Sequence, residues 1–97
     1  MVKRAKLEII RDILGIIHEN RNSIKKTPLL RKANLSTTRF GEYYKDLIRK
    51  GFIFEQKLPK DGISVLLSKK GETFLERYQT IVSFIQEFDL EVFKGFN

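Results

Sequence analysis

The sequence predicts a mainly α-helical domain with a small β-hairpin, continued by one long C-terminal helix. Three observations predict this. Three segments with helical apolar spacing open on residues suited to helix N-termini, Thr27, Ser36 and Ser68. Two β-prone runs flank a turn holding Pro59 and Asp61-Gly62. The last segment places apolar residues at alternating steps of 4 and 3. At 97 residues, 41% hydrophobic and 32% charged, the chain suits one small folded domain rather than a disordered one.

The first helix is expected within residues 4–20. Leu7, Ile9, Ile10, Ile13, Leu14, Ile16 and Ile17 cover about half of its circumference at roughly 100° per residue. So wide an arc hints at packing on a second chain as well as on the core. "NRNSIKK" follows as a polar turn, with room for a very short strand at residues 23–26. "TPLLRKAN" then reads as a second helix with Thr27 as N-cap and Pro28 at its first position. Asn34 suits a left-handed exit, and Ser36 caps the next helix.

That third helix is expected over residues 37–50, with Phe40, Tyr44, Leu47 and Ile48 inward and Tyr43 flanking. Gly51 ends it as the residue after the C-cap, with Arg49 and Lys50 well placed in the last turn. "FIFEQK", "LPKDG" and "ISVLLS" form the hairpin, with Ile63, Val65 and Leu67 on one face. Ser68 caps the last helix. Its seam is Phe74, Tyr78, Ile81, Ile85, Phe88 and Val92, widened by Leu75 and Val82. The seam either closes the core or joins a partner. A helix of about 24 residues would span roughly 36 Å, longer than a three-helix core of this size needs, which favours dimerisation. The chain accordingly divides into residues 1–68 and a dimerisation helix, residues 69–97.

Charge points to the partner. The net charge is +7. Residues 1–70 carry 17 Lys and Arg against 7 Asp and Glu, whereas residues 71–97 carry 2 against 5. Clustered positive charge is the footprint of a polyanion binder. Two capped helices, a short turn and a hairpin make a helix-turn-helix with a wing, and its second helix is the one that enters the major groove of DNA. The residues aimed at DNA on that helix are Ser36, Thr37, Thr38, Arg39, Glu42, Tyr43 and Lys45. Arg39 suits bidentate bonding to guanine. Lys25, Lys26, Arg31 and Lys32, with Lys57 and Lys60 on the wing, are candidates for the phosphate backbone. Lys3, Arg4 and Lys6 lack a placement relative to the duplex. Glu42 and Asp46 interrupt the polar face, and Asp46 can pair with Lys50 one turn on.

Other chemistry finds no footing. There is no cysteine and His18 is the single histidine, so no metal site is expected. No catalytic triad, paired catalytic carboxylates or glycine-rich phosphate loop can be assembled, and "KKGETF" has one glycine. No enzyme activity, cofactor, small-molecule ligand or membrane association is expected. The basic start of the chain lacks the pattern of a signal peptide, so a cytoplasmic setting is the default.

"ANLSTTRFGEYYKDLIRKGFI" followed by "LSKKGETFLERYQTI" resembles the archaeal winged-helix DNA-binding proteins of the small Sulfolobus chromatin type, the ten-kilodalton "a" class. The resemblance covers nearly the whole chain. It implies a homodimer joined by an antiparallel coiled coil of the last helices, with double-stranded DNA as ligand and an archaeal, nucleoid-associated setting. By position it implies a recognition helix at residues 37–50 and a wing at residues 58–62. This chain departs from that pattern at Glu42 and Asp46 and in its short wing. The expected function is therefore double-stranded DNA binding, as a transcription regulator or nucleoid-associated protein. A protein-interaction module with incidental basic charge is the alternative. RNA binding is a third reading, weakened because only Tyr43 is available for stacking.

Overall fold

A computed structural model of the chain describes residues 5–60 and 62–90. The elements run α1 (Lys6–Glu19), β1 (Ser23–Lys25), α2 (Lys26–Ala33), α3 (Thr37–Arg49), β2 (Ile53–Leu58), β3 (Gly62–Leu67) and α4 (Lys69–Glu87). Glu8 sits at the third position of α1 and its carboxylate accepts from the Ala5 N–H at 3.0 Å, which satisfies a donor that the helix cannot. α1 packs against α2, α4, β1 and β3. Ile9, Ile13, Leu14 and Ile17 are fully buried there. The wide apolar arc of α1 is thus largely absorbed inside the protomer, and only Leu7 at its start is well exposed.

α1 ends in a Schellman motif. Asn22 donates to the Ile17 carbonyl at 2.9 Å and Arg21 to His18 at 3.2 Å. Arg21 and Asn22 both adopt left-handed φ, 62° and 64°. This double reversal lays Ser23–Lys25 beside β3, so the wing is part of a three-stranded antiparallel sheet, in the order β1-β3-β2, rather than an isolated hairpin. The Ser23 and Ser64 hydroxyls meet at 2.8 Å across the β1–β3 pair. The second helix begins at Lys26, not after Thr27, with Lys25 extended at its cap. Pro28 is then the third helical residue, still within the turn whose N–H groups have no intrahelical acceptor.

Asn34 leaves α2 at φ 56°, as expected. Ser36 caps α3, its Oγ accepting from the Arg39 N–H at 3.2 Å. Phe40, Tyr44 and Leu47 are buried and Ile48 half-buried, the side predicted from spacing. Gly51, at φ 78°, closes a second Schellman motif: it donates to Ile48 and Phe52 donates to Leu47, each at 3.0 Å. β2 pairs with β3 from Ile53↔Leu67 to Leu58↔Gly62. Ile53, Val65 and Leu67 fill the core side.

Ser68 locks α4 to this layer. Its Oγ accepts from Gly71 N–H at 3.0 Å and lies 2.6 Å from the Gly51 carbonyl and 2.9 Å from that of Phe52. A Cβ at Gly71 would come within 2.5 Å of both Leu67 Cδ1 and the Phe52 carbonyl, so only glycine allows this close approach. Phe52 and Phe74 meet edge-on at 5.5 Å.

The end of α4 corrects an expectation. The helix is 19 residues long, about 28 Å, rather than about 24 residues. A third Schellman motif stops it: Asp89 turns left-handed at φ 55°, donating to Gln86 at 3.2 Å, and Leu90 donates to Ile85 at 2.8 Å. Asp tolerates this conformation better than most residues do. A long coiled-coil helix is therefore absent among the described residues, and Val92 lies outside them. Among the described residues no helix is long and apolar enough to cross a membrane.

Candidate nucleic-acid interface

α3 presents its N-terminal turn to solvent. Ser36, Thr37, Thr38 and Arg39 are all exposed, while Phe40 and Tyr44 anchor the opposite side. Ser36 Oγ is committed as an acceptor to the cap, which leaves its hydroxyl hydrogen for an external acceptor. The N–H groups of Thr37 and Thr38 fall in the first turn, where the helix supplies no carbonyl and anions are favoured. Arg39, Glu42, Tyr43 and Asp46 line one shallow notch together with Lys6 of α1. The structure thus assigns Lys6 to the polar face of α3, a placement that spacing alone could not supply. The Arg39 guanidinium lies 6.0 Å from the Tyr43 ring centroid, at the outer limit of a cation–π contact.

The two acids on this face differ. Asp46 is ion-paired within its own helix, to Arg49 at 2.6 Å and to Lys50 at 3.0 Å. Hydrogen bonds from Lys50 and then Arg49 hold its carboxyl below the usual carboxylate range. Asp46 therefore stays ionised and locally neutralised, and the pairing with Lys50 expected from the i+4 spacing is present. Glu42 is exposed beside Arg39 and Lys6.

A second notch joins three elements: Lys26 of α2, Tyr44, Lys45, Ile48 and Arg49 of α3, and Glu55 of β2. Lys26 Nζ sits 4.4 Å over the Tyr44 ring. Lys45 is exposed there. Lys25 and Arg31 are exposed at the end of β1 and on α2, and Lys57 and Lys60 on the wing. Lys32 departs from the group. It lines a groove between α1 and α4, beside Arg11, Asp12, Glu19 and Glu76, rather than either notch on α3.

The seam of α4 also divides. Phe74 is half-buried against the core, and Tyr78 and Ile85 are buried within the chain. The Arg11 guanidinium lies 5.5 Å over the Tyr78 ring. Ile81 and Phe88 are exposed at 46% and 58%, joined by Phe84 at 54%. The outward stripe is therefore Ile81, Phe84 and Phe88, with the two phenyl rings 5.0 Å apart. Sequence reasoning passed over Phe84, although steps of 3 and 4 connect these three residues as well.

Two helices joined by a tight turn, a third helix behind them and a β-hairpin at their side define a helix-turn-helix with a wing. The chain belongs to the winged helix-turn-helix family, whose sequence pattern matches residues 3–86. Two solved structures share the fold. F93 from STIV, described as a winged-helix DNA-binding protein, superposes with a TM-score of 0.69 at 20% identity, covering 81% of this chain and 90% of its own. Sso10a-2, described as a DNA-binding protein from Sulfolobus solfataricus, gives a TM-score of 0.70 at 16% identity, covering 88% of this chain and 85% of its own. None of the curated proteins compared with this chain matches it in sequence.

Proposed function

We propose that the chain binds double-stranded DNA as a homodimer, with the N-terminal turn of α3 at the major groove. The observation that carries this reading is the exposed run from Ser36 to Arg39, on a helix whose other side is locked into the core and beside which Lys6 adds a further cation. Lys25, Lys26 and Arg31, with Lys57 and Lys60 on the wing, supply phosphate contacts; Lys32 is the weakest member of the set. That both structural neighbours are described as DNA-binding supports the reading. The internal pairing of Asp46 removes one of the two objections to it. Dimerisation is proposed through the C-terminal part of α4, whose Ile81, Phe84 and Phe88 form an apolar stripe. The role is that of a transcription regulator or a nucleoid-associated protein in the cytoplasm.

The test is duplex binding by fluorescence anisotropy, comparing Arg39→Ala with the parent on a selected duplex and on random duplexes. A base contact costs about 1–3 kcal/mol on the preferred site alone. A uniform, salt-dependent loss makes Arg39 a phosphate contact, and no loss at all removes α3 from the interface. The alternative, a protein-interaction module, has one observation in its favour: Phe54 on β2 is 48% exposed. It gains ground if no duplex binds.

A further inference from the structure

The helix offered to DNA and the wing beside it are joined by a specific side-chain bond. The Tyr44 hydroxyl, on the core side of α3, donates to the Glu55 carboxylate on β2. The Tyr44 ring is buried, stacked on Phe40 with centroids 5.6 Å apart, and capped by Lys26 Nζ. The donor is therefore held by α3 and α2, and the acceptor by the sheet. Glu55 faces Val65 in the β2–β3 register, and β2 is the edge strand of the sheet among the described residues. We propose that the Tyr44–Glu55 pair positions the wing against the recognition helix, so that both engage one duplex as a rigid unit; this rests on the DNA-binding reading above.

One feature argues that the bond has a task beyond stability. Glu55 shares its notch with Lys26 and Lys45, two cations offered to DNA in the reading above, and with Arg49, which Asp46 already pairs. A carboxylate free to swing there would pair with them and withdraw them from DNA. The phenol holds it instead. Burial, reinforced by the Glu55 bond, pushes the Tyr44 phenol above its ordinary range, so the bond keeps its donor even in alkaline solution. Tyr44 and Glu55 are positioning residues in this proposal; neither is required to touch DNA.

Glutamine and alanine at position 55 separate geometry from charge. Glu55→Gln keeps an oxygen that accepts from Tyr44, whereas Glu55→Ala does not. Duplex affinity across a salt series is measured for the parent, Glu55→Gln, Glu55→Ala, Tyr44→Phe and the Tyr44→Phe/Glu55→Ala double variant. Amide hydrogen exchange in β2 and β3 is followed in parallel. Glu55→Gln is expected within about twofold of the parent. Glu55→Ala and Tyr44→Phe are each expected to lose about tenfold in affinity, the scale of one hydrogen bond to a charged group, with no further loss in the double variant. Their wing amides should exchange faster; the salt slope should be unchanged in Glu55→Ala and shallower in Tyr44→Phe, where the freed carboxylate pairs with the nearby cations. Should Tyr44→Phe fail to fold, Glu55→Ala carries the test from a surface position. Tighter binding by both position-55 variants would show that Glu55 acts through its charge and overturn the proposal. Equal affinity of Glu55→Ala and the parent overturns it too. A parent that binds no duplex brings down the DNA reading itself, a result distinct from either.

Discussion

Phe84→Ala tests the proposed partner surface at the position where the structure concentrates it. Phe84 is 54% exposed in the protomer. A phenylalanine side chain buries roughly 200 Å² when fully covered, so about 110 Å² of Phe84 remains to be buried by a partner. At about 25 cal/mol per Å² this amounts to roughly 2.7 kcal/mol per protomer. A twofold dimer carries the substitution twice, so about 5 kcal/mol is lost and the dimer dissociation constant rises on the order of 10³–10⁴-fold. The fold itself should persist, because more than half of the ring is already in water. Sedimentation equilibrium over a wide concentration range reads the dissociation constant, and circular dichroism confirms helix content. A dimer of unchanged stability in Phe84→Ala would refute the assignment of this stripe. A strictly monomeric parent would refute dimerisation altogether.

Three further outcomes follow from particular contacts. Gly71→Ala gains about 1 kcal/mol in helix propensity but forces a methyl against Leu67 and the Phe52 carbonyl, an overpacking cost of about 1–3 kcal/mol. Because that carbonyl is backbone already bonded to Ser68 N–H, the cost prevails, and Tm should fall by roughly 5–10 °C; an unchanged or higher Tm would show that the α4–wing contact can yield. Asp46→Asn releases Arg49 and Lys50, so duplex binding should tighten and the log K against log salt slope should steepen by roughly 0.9 for each phosphate gained; an unchanged slope means these cations stay off the DNA. The folded protein binds the Tyr44 proton more tightly than the unfolded chain does, so unfolding free energy should decline as pH rises through and above about 10. Denaturant titrations across that range read it, and Tyr44→Phe should flatten the decline.

Local chemistry made most of the helical frame readable. Ser36 and Ser68 at N-caps, Asn34 and Gly51 in left-handed exits, and the inward set Phe40, Tyr44 and Leu47 each follow from the preferences of single residues or one helical period. What escaped depends on distant partners or on conformations that residue type allows without demanding. The very short strand allowed for at residues 23–26 is present as β1, but its pairing with β3, some 40 residues away, was not legible. Its placement depends on left-handed φ at Arg21 and Asn22, and arginine does not announce that conformation. At Asp89 the helix turns out while the apolar 4-and-3 rhythm continues past it in sequence, so spacing overestimated α4. The same rhythm fits two overlapping sets on α4. Only their burial shows that Tyr78 and Ile85 turn inward, leaving Phe84 with Ile81 and Phe88 outside. The Tyr44–Glu55 bond joins residues whose separation follows no local motif. The interface was legible where it coincides with a helix N-terminus, from Ser36 to Arg39. Lys6 joins it, and Lys32 sits apart, for reasons of helix packing alone.

Affinity of the parent chain for random double-stranded DNA across a salt series tests the central claim most directly. The account predicts binding tighter than roughly 10 μM at low salt, and a log K against log salt slope of several units, about 0.9 for each phosphate contacted. Duplex should be preferred over single strand. A chain that binds no duplex in that range, or whose affinity ignores salt, would contradict it.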